Sequence, residues 1–328
     1  MTTYVIRRLI LAAFTLLVFT ALMYALIRNI PGTPLTMQGA EDPNLKINAE
    51  DLALLNRAYG LDKPWYRAYG EWLGNLMRFD LGSSFRFRKP VVGLIGERIG
   101  ATLLLSVTSF VITFLVAIPI GMFVTRHSGR LVERIVSVLF YMLYSLPLYV
   151  AALWLLSWFY LRLAGTMFQL PPGMVSDNYE QLSAGGKVAD LIRHLILPLV
   201  CYSYGALAYD TRFIKANMEE AIRQDYIRTA RAKGADTGRI LWLHAFRNTL
   251  IPFVTLIGLQ LPSLISGAVI LETIFSWPGI GKLLYDAITY RDYPLIMGLV
   301  FMFAVATLAS QLLADILYAF VDPRITYS

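Results

Sequence analysis

The sequence has few charged residues and almost no cysteine. Only 16% of its 328 residues are charged, whereas 57% are hydrophobic. This balance excludes an ordinary soluble domain and predicts an integral membrane protein. The single cysteine, Cys201, lies in an apolar run, so an intrachain disulfide and a thiolate metal cluster are both excluded. We expect Cys201 to be a packing residue.

Groups that perform catalysis or couple ions to transport are also scarce. The three histidines lack metal-ligand spacing, and no serine lies in a nucleophile-elbow pattern. The apolar runs contain no arginine ladder and no ion-filter sequence, and their main ionisable residue, Asp315, fits a structural cap better than a proton relay. Gly281-Lys282 is followed by Leu283, so it is not a nucleotide-binding loop. The sequence therefore predicts no enzyme, no cofactor and no metal site.

Long uncharged runs predict the membrane spans. Five of them approach or exceed the roughly 20 residues that cross a bilayer. A sixth run, 195–209, reaches full length only if its helix continues through Asp210 and Arg212, whose charges would then extend to the lipid head groups. The predicted spans are 9–28, 101–125, 135–161, 195–216, 249–271 and 294–319. We therefore predict an all-α integral membrane protein with six transmembrane helices.

The distribution of lysine and arginine predicts the topology. Short basic loops are retained on the cytoplasmic side of a membrane, and the net charge of +7 is concentrated in such loops, which also argues against nucleic-acid binding. The segments predicted to be cytoplasmic are 1–8, 126–134, 217–248 and 320–328, and those predicted to be outside are 29–100, 162–194 and 272–293. Both termini are thus predicted to be cytoplasmic.

The predicted outer segments contain amphipathic helices. One helix is expected to end at Gly60, and Pro64 begins a second with Trp65, Tyr69 and Trp72 at helical spacing. Its aromatic side chains favour a helix lying on the membrane surface, with contact to an external partner as the alternative. The stretch 276–288, SWPGIGKLLYDAI, predicts another short outer helix after a Pro-Gly turn.

A basic segment in the loop 217–248, DYIRTARAKG at 225–234, predicts a helix of about two turns. Acidic residues come before it and basic residues follow, in agreement with the helix dipole, and Gly234 is placed to end it. It is either an ordinary positively charged cytoplasmic loop or a surface through which a soluble partner drives the protein. Composition alone supports the two interpretations about equally.

Several motifs resemble the permease subunits of ABC importers for dipeptides, oligopeptides and nickel. The motifs are YIRTARAKG at 226–234, HAFRNTLIP at 244–252, ETIFSWPGIGKLLYDAI at 272–288, RDYPLIMG at 291–298, IPGTP at 30–34, YGLDKP at 59–64, FDLGSS at 79–84 and VDPRI at 321–325. The resemblance extends over essentially the whole chain. It implies the type I importer permease fold and an alternating-access mechanism in the inner membrane of a prokaryote.

The resemblance also implies partners and site residues. A second, homologous permease would complete the pathway, two ABC ATPase subunits would bind on the cytoplasmic side, and an external binding protein would deliver substrate. The family's coupling helix corresponds to 226–234, which would dock in a groove of the ATPase. The implied contact residues are Tyr226, Thr229, Ala230, Lys233 and Gly234. We expect Gly234→Pro or Ala230→Glu to abolish transport while membrane insertion continues.

The substrate follows less directly than the mechanism. Peptides are the main prediction, with nickel, glutathione or an oligosaccharide as alternatives for the same machine and an ATPase-independent carrier as a distant one. Thr33 stands where the peptide branch of this family commonly has aspartate. The candidate pathway-lining residues are Ser145, Gln260, Ser263 and Ser266, and helix packing is an equal interpretation for each of them.

Overall fold

The computed structural model describes residues 2–29, 53, 57 and 62–321, and the regular elements within these ranges are helices. We number them α1 Thr2–Arg28, α2 Trp65–Leu76, α3 Val91–Arg126, α4 Leu131–Ser145, α5 Leu148–Leu156, α6 Ala184–Ile222, α7 Asp225–Ala232, α8 Thr237–Arg239, α9 Leu250–Ser266, α10 Val269–Ile274, α11 Ile280–Thr289 and α12 Tyr293–Val321. Two π-helical segments, Ser157–Arg162 and Ile240–Phe246, continue α5 and α8, and a 3₁₀ turn, Tyr179–Gln181, precedes α6.

Five stretches are long and apolar enough to cross a membrane. They are Ile6–Arg28, Val91–Arg126, Ala184–Ile222, Pro252–Ile274 and Tyr293–Leu313, and the bent pair of Leu131–Ser145 and Leu148–Arg162 makes a sixth if it is counted as one span. The most extensive contact joins α3 to α6, and α12 packs against α9 and α1. The predicted all-α, multi-span fold class is confirmed.

The third predicted span is not one helix. Pro147 lies inside the predicted span 135–161, and α4 and the stretch after it meet there at an angle of 89°. Pro147 has no backbone N–H and disfavours helical geometry at the residue before it, and Leu146 has an extended ψ of 119°. The break follows from the proline.

Two helices extend beyond the apolar runs that predicted them. α3 begins at Val91, ten residues before the expected start of its span, directly after Pro90. α6 begins at Ala184 because the Ser183 side chain accepts a hydrogen bond from the backbone N–H of Gly186 at 3.2 Å. With 39 residues, α6 is about 58 Å long and therefore longer than a bilayer core.

The fifth predicted span, 249–271, contains a break. Gly267 has a φ of +68°, which ends α9 at Ser266, and the chain becomes helical again in α10. The two expected amphipathic helices that follow Pro64 and the Pro-Gly turn are present as α2 and α11. The predicted helix end at Gly60, the motif at 30–34, the side chain of Asp315 and residues 322–328 lie outside the described residues.

Two buried clusters hold the ends of the bundle. One, at what we call the α7 end (α7 and Thr237–Phe246), joins Ile227 to Met218 of α6 and Phe253 of α9. The other, at what we call the α11 end (79–90 and 267–299), joins Leu283 of α11 to Leu94 of α3. Cys201 is buried in a third cluster, as its apolar surroundings predicted.

Candidate functional site

The helix predicted at 225–234 is present as α7. It has eight residues, about two turns. Gly234 follows it with a φ of +82°, and the Gly234 backbone N–H donates to the carbonyl of Arg231 at 2.9 Å. A residue with a side chain is strained at this φ, so glycine is favoured at the end of the helix.

One face of α7 packs inside the chain. Ile227 is fully buried and Ala230 is 8% exposed, and three-residue spacing places both on the face that contacts Ile240–Phe246. The sequence prediction that Ala230 contacts a partner stays a prediction, and in this structure Ala230 lies on the inward face. The Ala230→Glu substitution would place a charge against the chain's own core.

The opposite face of α7 is exposed and basic. Tyr226 is 40% exposed, and Thr229, Lys233 and Gly234 are exposed with it. Arg228 pairs with Asp225 at 3.1 Å, but both side chains are mostly in solvent, so the pair contributes little stability. The exposed face thus offers cations and an aromatic ring to a partner with acidic or polar groups.

The buried face of α7 packs in a cluster that it shares with two spanning helices. Ile227 shares its cluster with Ile214 and Met218 of α6 and with Phe253 and Leu256 of α9. The cluster thus joins the inward face of α7 to both spanning helices.

The four candidate pathway residues each make a hydrogen bond within the chain. The hydroxyls of Ser145, Ser263 and Ser266 each donate to a carbonyl of their own helix, at 2.8, 2.6 and 3.4 Å. The Gln260 side-chain amide donates to Asp210 Oδ1 at 2.9 Å and so links α9 to α6. This bond fits the helix-packing interpretation of Gln260, and its place in a pathway stays a prediction.

Asp210 differs from its sequence prediction. It was expected to extend toward the head groups, yet it is 0% exposed. Its Oδ2 atom is buried without a hydrogen-bond partner in the structure, as are the hydroxyls of Thr113 and Thr211. The acidic residue within the run was visible in the sequence, but its burial depends on the position of α9.

Glu272 is a second buried carboxylate that the sequence did not single out. It is 0% exposed, accepts a hydrogen bond from Thr102 Oγ1 at 3.0 Å, and accepts another from the backbone N–H of Lys282 at 3.0 Å. A Cβ atom on Gly279 would lie 2.4 Å from its Oε2 atom, and one on Gly281 would lie 2.8 Å from the backbone nitrogen of Val269. The glycines of the motif at 272–288 therefore leave room for this carboxylate. They are the sequence feature that could have pointed to its burial.

Asp292 joins two motifs that are far apart in sequence. It is 0% exposed and accepts from Ser84 Oγ at 2.5 Å and from the backbone N–H of Arg86 at 3.1 Å. FDLGSS at 79–84 is thereby attached to RDYPLIMG at 291–298. On the neighbouring α11, burial raises the pKa of the Asp286 carboxyl, against the opposing effect of Lys282. Within the described ranges, no group of three or more His, Cys, Asp or Glu side chains is placed to hold a metal ion.

Comparison with known families identifies the class. Residues 117–327 match the family described as binding-protein-dependent transport system inner membrane component, and residues 1–108 match the N-terminal model of such membrane components. The chain belongs to this family. As a permease subunit it is a multi-pass cell-membrane protein without enzymatic activity of its own, and membership implies a partnering permease and an ATPase on separate subunits.

Relatives of this permease match over its full length. It is 38% identical to the oligopeptide transport system permease protein AppB of Bacillus subtilis, with 100% of both chains covered. It is 36% identical to the di/tripeptide transport system permease protein DppB of Pseudomonas aeruginosa and 35% identical to the dipeptide transport system permease protein DppB of Escherichia coli, with 100% of this chain and 99% of each relative covered. The family predicted from the motifs is confirmed.

A solved structure supports the fold. The inward-facing MetNI methionine ABC transporter matches with a TM-score of 0.54 and 18% identity, over 70% of this chain and 97% of the matched chain. At this identity the likeness concerns the fold alone. It agrees with an importer permease bundle.

Proposed function

We propose that this permease forms, with a second permease chain, an alternating-access pathway that carries peptides into the cell. An external binding protein delivers the peptide, and two separate ABC ATPase subunits drive the cycle. The observation that carries the proposal is full-length identity of 35% to 38% to three permeases whose names specify oligopeptide, di/tripeptide or dipeptide transport.

The same proposal assigns α7 to coupling. Its exposed face, with Tyr226, Thr229, Lys233 and Gly234, docks in a groove of an ATPase on the cytoplasmic side, where both termini of the permease also lie. Ala230 and Ile227 seat the helix from within. Shifting a two-state pathway from 1:99 to 99:1 requires about 5.5 kcal/mol. If the ATPases supply this free energy through α7, the helix must move with α6 and α9 as one body. The shared cluster around Ile227 supports such rigid movement.

The substrate is tested by reconstitution. The permease pair, its ATPases and the cognate binding protein are placed in proteoliposomes, and ATP-dependent uptake of labelled dipeptides and longer peptides is measured beside uptake of nickel, glutathione and an oligosaccharide. We expect peptide uptake alone. Uptake of one of the other three without peptide uptake contradicts the substrate, whereas peptide uptake in vesicles that lack the ATPases contradicts the mechanism.

The coupling role is tested by a charge placed on the exposed face of α7. We expect Thr229→Glu to reduce capture of the purified ATPase by about tenfold or more, because it places an acidic group in a basic docking face. Gln181→Glu adds the same charge at an exposed position in the segment predicted to lie outside. Equal capture of the ATPase by both variants would remove α7 from the docking surface.

A further inference from the structure

A cavity between α4 and α6 is lined by several hydrogen-bond donors, and some of them have no partner among the described residues of the chain. Its volume is about 550 Å³, and its polar lining consists of Ser137, Tyr141, Tyr144, Tyr209, Arg212, Lys215 and Glu219. Its lining contains no residue of α7 and neither Glu272 nor Asp292. Its chemistry is therefore separate from the coupling and packing sites described above.

Arg212 is the cation in this cavity that lacks a counter-ion. Its guanidinium lies over the ring of Tyr141, with its carbon 4.6 Å from the ring centroid, and no carboxylate of the described residues is within ion-pair distance. The acidic groups nearby are already engaged. Lys215 Nζ lies 2.6 Å from a Glu133 oxygen and 3.6 Å from a Glu219 oxygen, and Glu219 also accepts from Ser128 Oγ at 2.8 Å.

Three tyrosines line the same space. Tyr141, Tyr144 and Tyr209 are 51%, 58% and 50% exposed, and within the described ranges none of their hydroxyls donates a hydrogen bond to the chain. A guanidinium contributes five N–H donors and no acceptor, and each phenol contributes one O–H donor. A ligand that complements this set is an oxyanion, because charge-assisted hydrogen bonds from arginine favour phosphate and carboxylate oxygens.

The surroundings of the cavity match a membrane boundary. Val138, Leu139 and Met142 on α4 are 52%, 52% and 66% exposed, so apolar side chains lie on the surface beside the tyrosines. Arg212 lies three residues after the apolar run 195–209 of α6, less than one helical turn away. An arginine at the end of a spanning run is placed where lipid phosphates lie, and tyrosine is enriched at the same depth.

We infer that this cavity binds the head group of an anionic phospholipid. Arg212 and the hydroxyls of Tyr141, Tyr144 and Tyr209 contact the phosphate oxygens, and the acyl chains follow the apolar surface of α4. Basic pockets between spanning helices are known to select anionic head groups. The site does not depend on which solute the permease transports.

The test measures lipid bound to the purified full-length permease. The protein is incubated with mixed micelles of phosphatidylglycerol and phosphatidylcholine, and retained lipid is counted by native mass spectrometry. We expect Arg212→Gln to lower phosphatidylglycerol affinity by about tenfold, and Arg212→Lys to lower it less because the charge remains. Arg223→Gln is the matched control, since it removes the same charge at an exposed position just after α6, outside the cavity.

A subtler variant covers the case in which Arg212→Gln does not fold. Tyr209→Phe keeps the ring and removes only the hydroxyl, and we expect it to weaken phosphatidylglycerol binding roughly fivefold. Equal retention of phosphatidylglycerol and phosphatidylcholine, or equal losses in the Arg212 and Arg223 variants, overturns the inference. Displacement by inorganic phosphate assigns a free-anion site instead, and displacement by a dipeptide assigns the cavity to the transport path. Either displacement also overturns the lipid assignment.

Discussion

The α11 end of this permease buries carboxylates, whereas the α7 end exposes its charged side chains. At the α11 end, Glu272 and Asp292 are fully buried and their oxygens accept hydrogen bonds from neighbouring segments, while Trp277, also fully buried, donates to the Ala101 carbonyl at 2.9 Å. At the α7 end, only Ile227 and Ala230 of α7 are buried, and the charged side chains point into solvent.

The difference shows that motifs of one family can have different physical roles. A buried carboxylate is stable only if donors surround it, so the α11 end tolerates one arrangement of its loops. The charges of α7 are already solvated and are free to meet a partner. The motif at 272–288 therefore holds the fold together, whereas the motif at 226–234 presents a surface.

The largest expected loss of stability follows from a substitution at the α11 end. Glu272→Ala leaves the Thr102 hydroxyl and the Lys282 N–H without their acceptor in a buried space, which we expect to cost about 3 kcal/mol or more. The measurement is thermal unfolding of the purified permease. Glu180→Ala, at a side chain that is 87% exposed, is the control. Equal melting temperatures for the two variants would mean that Glu272 does not hold this end.

A second substitution acts at the α7 end. Gly234→Pro cannot adopt a φ of +82° and removes the N–H that donates to Arg231, a local cost of about 3 kcal/mol. We expect peptide uptake to fall to background while the permease still inserts into the membrane. Gly165→Pro, at another positive-φ glycine in the segment predicted to lie outside, should retain most uptake. Normal uptake by Gly234→Pro would separate α7 from coupling.

A smaller effect is expected between the two ends, at the bond from Gln260 to Asp210. Gln260→Leu removes the donor from a buried carboxylate, and we expect a loss of about 2 kcal/mol. Asp210→Asn should cost less than about 1 kcal/mol, because an amide oxygen still accepts from Gln260 and the buried charge is gone. The melting temperatures of the two variants are compared, and the reverse order would show that Asp210 has a counter-charge in the folded protein.

The smallest effect concerns Lys63 beside α2. Its hydrogen bond to Glu71, at 2.6 Å, raises the pKa of Lys63 above its usual value. The pair's contribution is therefore present at neutral pH and is lost as the pH rises through the raised pKa. We expect the small difference in melting temperature between the wild-type protein and Glu71→Gln to vanish in strongly alkaline buffer. A difference that persists there would have another cause.

Local patterns predicted most of the helices but not how far each one extends. Apolar runs are sufficient to predict spans, and Gly234 was sufficient to predict the end of α7, because both depend on neighbouring residues alone. The bend at Pro147 was also visible in the sequence, yet its angle of 89° depends on how α4 and α5 pack against α6. The start of α6 depends on the Ser183 cap, a signal outside the apolar run.

Composition, loop charge and motifs are properties of the linear chain, and they were sufficient to predict a multi-span permease with a basic helix at 225–234. Tertiary packing sets which residues of that helix face outward, and it places Ala230 on the inward face. It also decided that Asp210, Glu272 and Asp292 are buried, because burial and hydrogen bonding depend on segments that are distant in sequence and meet only when the helices pack.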